Sequence, residues 1–107
     1  MVKQIATLEA LQKELSEHKV VLVDFFAEWC GPCKRIAPEI ESQYEKVWKA
    51  QGVHVVKVDV DENDDAAKHY KIQAMPTFKV FVNGKEVADI VGASLDKIKK
   101  AVEDNRH

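Results

Sequence analysis

The sequence predicts an α/β domain, with a mixed central β-sheet covered by helices on both faces in the order βαβαβαββα. Three observations carry that expectation. Val20–Phe26 is a continuous apolar run broken only by Asp24, as a strand buried on both faces is, and the valine-rich Val53–Val60 reads as the next strand. Around them, apolar residues recur at helical spacing. Toward the C-terminal end, Asn83-Gly84 separates two strand-like segments, and these residue types tolerate the positive φ that both central positions of a type I′ hairpin turn require.

Taken in order, Val2 to Ile5 reads as a short edge strand, and Thr7 can cap a helix whose Leu8, Leu11 and Leu15 share one face. Val20–Phe26 is a buried strand broken only by Asp24. Ile36, Ala37, Ile40, Tyr44, Val47 and Trp48 then mark the inward face of one long helix, expected to kink at Pro38 and to end near Gly52. After the strand Val53–Val60, the acidic stretch DVDENDDAAKHY leads into a short helix. Thr77–Val82 and Glu86–Val91 flank the turn and should be antiparallel neighbours. Gly92 closes the hairpin, and Ser94 caps a final helix carrying Leu95, Ile98, Ala101 and Val102 on one face. No repeat, linker or low-complexity tract interrupts the series, so a single domain over residues 1–107 is expected.

Composition narrows the function. Apolar residues at 46% and charged residues at 32% can supply a core without staples. A net charge of −2 leaves no cationic excess to neutralise a phosphate backbone, which argues against a nucleic-acid partner. No apolar run approaches the roughly 18 residues of a membrane span, and the polar, amphipathic N-terminal segment does not resemble a signal peptide. The expected compartment is therefore the cytoplasm, where structural disulfides are rare.

That expectation makes the two cysteines, Cys30 and Cys33, the most informative residues. They fall between the end of a buried strand and the start of a helix. Unpaired N–H groups and the helix dipole at that terminus favour a thiolate on Cys30, which is also expected to be the more exposed of the pair. Cys33, one turn inward, is spaced to attack a mixed disulfide formed by Cys30 and release the reduced substrate. Gly31 and Pro32 restrict the turn between them, and Pro32 suits a first helical turn because its missing N–H would have no partner there.

FFAEWCGPCKRIAP, the later AMPTF, the NGK turn and the VGA before the last helix together resemble the thioredoxin family from the first strand to the last helix. The resemblance implies a thioredoxin fold and a protein-disulfide reductase that transfers two electrons by dithiol–disulfide exchange, with Cys30 as nucleophile and Cys33 as resolving cysteine. It implies that Asp24 is a buried carboxylate assisting proton transfer and that Pro76 is a cis-proline facing the disulfide. Trp29, Gly31, Pro32, Met75, Gly92 and Ala93 would form the docking surface, with Trp29, Ile72 and Met75 as its apolar rim. No bound cofactor is implied beyond the redox disulfide itself, its electrons coming from NADPH through a thioredoxin reductase. The implied clients are disulfide-containing proteins such as ribonucleotide reductase and peroxiredoxins, met by a monomer. Phe26 departs from the pattern, standing where bacterial members often carry a second tryptophan.

Other readings of the same residues compete. The cysteine pair could be half of a zinc site, yet His18, His54, His69 and His107 include no close His-x-x-x-His pair to complete it. Asp24 could be a structural ion-pair partner of Lys57 on the neighbouring strand, and Lys57 could also tune Asp24 while Asp24 serves Cys33. The acidic group Asp59, Asp61, Glu62, Asp64 and Asp65 reads as a solvated turn, with steering of a basic partner as the alternative. At the level of function, the alternatives are an oxidase or isomerase, or a binding module in which the cysteines are incidental. Gly-Pro rather than a His-containing pair between the cysteines argues against the former. The joint presence of Cys30, Cys33, Asp24 and Pro76 argues against the latter.

Overall fold

Side chains at the element boundaries set where regular structure begins. Thr7 Oγ1 accepts the Ala10 N–H at 3.1 Å, and Ser94 Oγ accepts that of Lys97 at 3.4 Å, each satisfying a donor that the first helical turn leaves unpaired. In the computed structural model, which describes all residues Met1–His107, the elements are β1 (Lys3–Gln4), α1 (Leu8–Glu17), β2 (Val20–Phe26), α2 (Gly31–Gln43), β3 (Val53–Asp59), α3 (Asp64–His69), β4 (Thr77–Val82), β5 (Lys85–Val91) and α4 (Leu95–Asn105). This is the predicted βαβαβαββα order.

The five strands form one sheet in the order β1-β3-β2-β4-β5. β3 runs parallel to β1 and β2, whereas β4 is antiparallel to β2 and to β5. The centre falls to β2, whose sequence VVLVDFF has an apolar residue for both faces almost throughout. Alternation divides the core accordingly. Val20 and Leu22, with Val53, Val55, Phe78 and Val80, pack beneath Ile36 and Ile40 of α2 and Ile98 and Val102 of α4. Val21, Val23 and Phe25, with Val56, Val58 and Phe81, pack beneath Leu11 and Leu15 of α1 and Ala66 of α3. Each fully buried large side chain contributes about 1.5–3 kcal/mol of transfer free energy, so the helices are held to the sheet chiefly by these layers.

Differences from the expectation have local causes. β1 has two residues, not four, because the Val2 N–H is taken by the Glu41 carboxylate of α2 at 3.0 Å instead of by a neighbouring strand. The long helix does not run unchanged toward Gly52. α2 ends at Gln43 and Tyr44–Trp48 forms a π-helical turn, closed by Lys49 N–H donating to Tyr44 C=O at 2.9 Å, and Trp48 at its end is buried in the core. Pro38 lies inside α2 on its exposed side, where the hydrogen bond it cannot make leaves a carbonyl facing solvent.

Asn63 caps α3 by accepting the Ala66 N–H at 3.2 Å and donates its amide to Ile5 C=O at 3.3 Å, tying the first strand's exit to the third helix. In the β4–β5 hairpin, Asn83 and Gly84 have φ of 53° and 81°, as a type I′ turn demands. A bulge between Val80 and Phe81 leaves Val87 without a cross-strand partner. Beside it, the nearly buried Lys79 ammonium is clasped by Glu86 at 3.0 Å and Asp89 at 3.1 Å.

Candidate active site

The site forms where β2 gives way to α2. Phe26 C=O still accepts the Val60 N–H at 2.9 Å, and the chain then folds back so that Cys30 N–H donates to Ala27 C=O at 3.1 Å. This places Cys30 at the N-cap of α2. Its Sγ accepts the Cys33 N–H at 3.2 Å and its carbonyl accepts the Lys34 N–H at 3.2 Å. Pro32 occupies the first turn, where no N–H is needed. The same helical turn brings Cys33 back over Cys30, and the two are joined as a disulfide with Cα atoms 5.3 Å apart. Both cysteines of the chain are thus committed to this one bond.

The sulfurs sit in a small apolar cluster with Ala27, against which Phe26, Val60 and Met75 pack. Cys30 is not the exposed member expected from its helix-terminal position: it is 5% accessible and Cys33 4%, because the cluster covers both. What separates them is direction. Cys33, and not Cys30, lines a cavity of about 270 Å³ that it shares with Asp24, Phe26, Ala37 and Lys57.

Asp24 lies two residues before Phe26 on the same face of β2 and is 6% accessible. Its Oδ1 has no hydrogen-bond partner. Burial disfavours the charged form and pushes the carboxyl from its ordinary 3.8 up to about 7, the positive charge of Lys57 opposing only part of that rise. Asp24 and Lys57 are register partners on β2 and β3, but they do not form the direct ion pair considered from the sequence. The Lys57 ammonium instead lies 5.8 Å from the centroid of the Phe26 ring, so it acts on Asp24 through space.

Across the cysteines, the Met75–Pro76 peptide is cis and Pro76 is buried. Pro76 C=O accepts the Gly92 N–H at 2.9 Å, which holds Gly92, at φ 107°, against the proline segment. The main-chain N–H and C=O of Met75 make no hydrogen bond within the chain. Ile72 and Met75 line a second cavity of about 470 Å³ together with Val60. Ala93 is half-buried and packs partly against the core under α4, while Gly31 and Pro32 are exposed.

Trp29 is 68% exposed and its indole Nε1–H donates to Asp61 Oδ2 at 3.0 Å. The acidic stretch is therefore not uniformly a solvated turn. Asp59 is 7% accessible and its Oδ1 accepts the Asp61 N–H at 2.9 Å, folding the segment so that Asp61 can reach Trp29. Sequence reasoning missed Asp61 and Val60 as neighbours of the site. Only the return of β3 beside β2 brings them there, and no local signal announces it.

A cysteine pair joined as a disulfide at a helix N-terminus, a buried carboxyl on the central strand and a proline segment opposite define a thiol–disulfide oxidoreductase of the thioredoxin fold. Comparison with known proteins agrees. The family model described as Thioredoxin matches residues 2–104. Thioredoxin-1 of Saccharomyces cerevisiae is 46% identical over 98% of this chain and 99% of its own. Thioredoxin-2 of Pyricularia oryzae is 42% identical over 97% of this chain, which spans 59% of that longer protein. The solved thioredoxin of Plasmodium falciparum superposes with a TM-score of 0.89 at 39% identity, covering 97% of this chain and 99% of that one. The chain belongs to the thioredoxin family, and its activity is protein-disulfide reduction through the Cys30–Cys33 pair. No helix is long and apolar enough to cross a membrane.

Proposed function

We propose that Cys30 is the attacking thiolate and Cys33 the resolving thiol. Cys30 sulfur attacks one sulfur of a client disulfide, forming a mixed disulfide and expelling the other client sulfur as a thiolate. Cys33 then loses its proton and attacks Cys30 sulfur; the Cys30–Cys33 bond forms, the mixed disulfide breaks, and the client leaves with two more electrons than it brought. Asp24 accepts the Cys33 proton through water in the cavity they share, a space large enough to hold it and lined in part by the charged groups of Glu28, Lys34 and Lys57. The observation that carries the division of labour is that Cys30 Sγ receives the Cys33 N–H at the start of α2, a contact that stabilises charge on Cys30, while Cys33 faces Asp24.

Clients dock as an extended segment on the free N–H and C=O of Met75, in the manner of an added strand, with Trp29, Ile72 and Met75 as a shallow apolar rim and Gly31, Pro32, Gly92 and Ala93 beside the sulfurs. Main-chain recognition suits many unrelated client proteins, peroxiredoxins and ribonucleotide reductase among them. Electrons reach the disulfide from NADPH through a thioredoxin reductase. The setting is the cytoplasm, as a monomer, where commitment of both cysteines to one exchangeable bond fits a reducing compartment.

NADPH-driven reduction of insulin disulfides in the presence of a thioredoxin reductase tests the activity. Cys33→Ser should accumulate mixed disulfides with client proteins and Cys30→Ser should capture none. Equal capture by both, read by mass spectrometry after thiol trapping, would overturn the order of attack.

A further inference from the structure

Away from the cysteines, two histidines and a glutamate converge at the opposite end of β3. Glu14 and His18 are four residues apart on the same side of α1, and His54 is the second residue of β3. Glu14 Oε1 lies 2.6 Å from His54 Nε2 and 4.0 Å from His18 Nε2, and the three nearest ligand atoms all fall within 4.8 Å of one another. The imidazole rings stack with centroids 3.7 Å apart. From these contacts we propose that Glu14, His18 and His54 form a Zn²⁺ site distinct from the redox centre.

The chemistry matches the donor set. Two imidazole nitrogens and one carboxylate oxygen, with a fourth position left to water, is an established way of holding zinc. Metal–ligand bonds of about 2.0–2.2 Å at tetrahedral angles put neighbouring donor atoms about 3.3 Å apart, so Glu14 and His54 must open slightly and His18 must close. His18 must also turn its ring out of the stack on His54, because two nearly parallel imidazoles cannot both aim an in-plane lone pair at one ion, and it is free to do so: it stands at the C-terminal end of α1, and its side chain is 40% exposed. Glu14 is fixed instead. It is 7% accessible, and Lys3 Nζ holds its other oxygen, Oε2, at 3.1 Å, the kind of outer contact that orients a ligating carboxylate. A surface cavity of about 160 Å³ bounded by His18, His54, Tyr44 and Lys49 leaves room for the fourth ligand. From His54 to Asp59, where β3 reaches the redox centre, is five residues of strand, or about 16 Å.

The test uses the full chain in its oxidised form, so that no thiolate competes for metal. Calorimetric titration with ZnCl₂ should show one site, and the imidazole signals of His18 and His54, not those of His69 and His107, should shift in proton–nitrogen NMR spectra. His18→Ala, at an exposed position, should weaken binding at least as much as loss of an outer-shell partner does, about 10–100-fold. His54→Gln should do the same, and His107→Ala should change nothing. ZnCl₂ should also raise the thermal midpoint of the wild-type protein and not that of His18→Ala. Absence of binding, or binding of equal strength in wild type, His18→Ala and His54→Gln, would overturn the proposal.

Discussion

Replacing Asp24 by asparagine removes a carboxyl that the fold holds neutral far above its ordinary range, and the effect on stability has a definite sign and pH window. Below about pH 4 the carboxyl is protonated in both folded and unfolded chains, so burial costs it nothing as a charge. Between 3.8 and about 7 the unfolded chain ionises and the folded one does not, so stability falls as pH rises; above about 7 the penalty is constant. Roughly three pKa units at 1.36 kcal/mol each give about 4 kcal/mol, undiscounted for solvent screening because the group is almost fully buried. Whatever the asparagine contributes by itself, the difference between Asp24→Asn and wild type should shift in favour of the variant by about 4 kcal/mol from about pH 4 to about pH 8. Urea unfolding of both proteins across that range measures it, and insulin reduction by the variant should be slower at and above about pH 7, where wild-type Asp24 is ionised and can accept the Cys33 proton, with the difference shrinking as pH falls below that. A stability difference that does not change with pH would refute the reasoning, and so would full activity.

Lys57→Met removes the one charge that lowers the Asp24 carboxyl, which should then titrate above its wild-type value of about 7; an unchanged or lower value in carbon NMR titration would show that Lys57 does not act on it. Leu22→Ala, in the centre of the sheet under α2, should cost about 2–5 kcal/mol in urea unfolding, with the larger value if the neighbours cannot collapse into the space. Gly84→Ala forces a Cβ into a backbone at φ 81° and should cost about 1–2 kcal/mol by thermal unfolding, whereas a loss near zero would mean that the turn rearranges.

The parts of this protein that could be read from its sequence are those fixed by neighbours along the chain. The strand β2 declares itself by an apolar run broken only by Asp24, β3 by its recurring valines, the hairpin by Asn83-Gly84, and the redox pair by two cysteines one helical turn apart at a strand–helix junction. What could not be read depends on which segments meet. Val2 gives its N–H to Glu41, and that shortens β1; the two are far apart in sequence. Lys57 and Asp24 are aligned by register, yet the length and direction of the lysine side chain, which carries it over Phe26, decide that they do not touch. Asp61 reaches Trp29 only because buried Asp59 turns the chain after β3. The π-helical turn at Tyr44–Trp48 keeps an apolar spacing compatible with a plain α-helix, so its period hides it.

The bulge at Val87 bears on how the molecule meets copies of itself. β5 closes one side of the sheet, leaving a row of unpaired backbone groups along it, with Val87 45% and Val91 62% exposed nearby. A straight apolar rim of that kind is a template on which a second chain could continue the sheet. The extra residue breaks the rim's spacing midway and increases its twist, while Lys85, Glu86 and Asp89 put charge along the same stretch. An incoming strand would find donors and acceptors out of step after a few residues. The irregularity in the ladder thus works against continuation of the sheet at β5 by another strand.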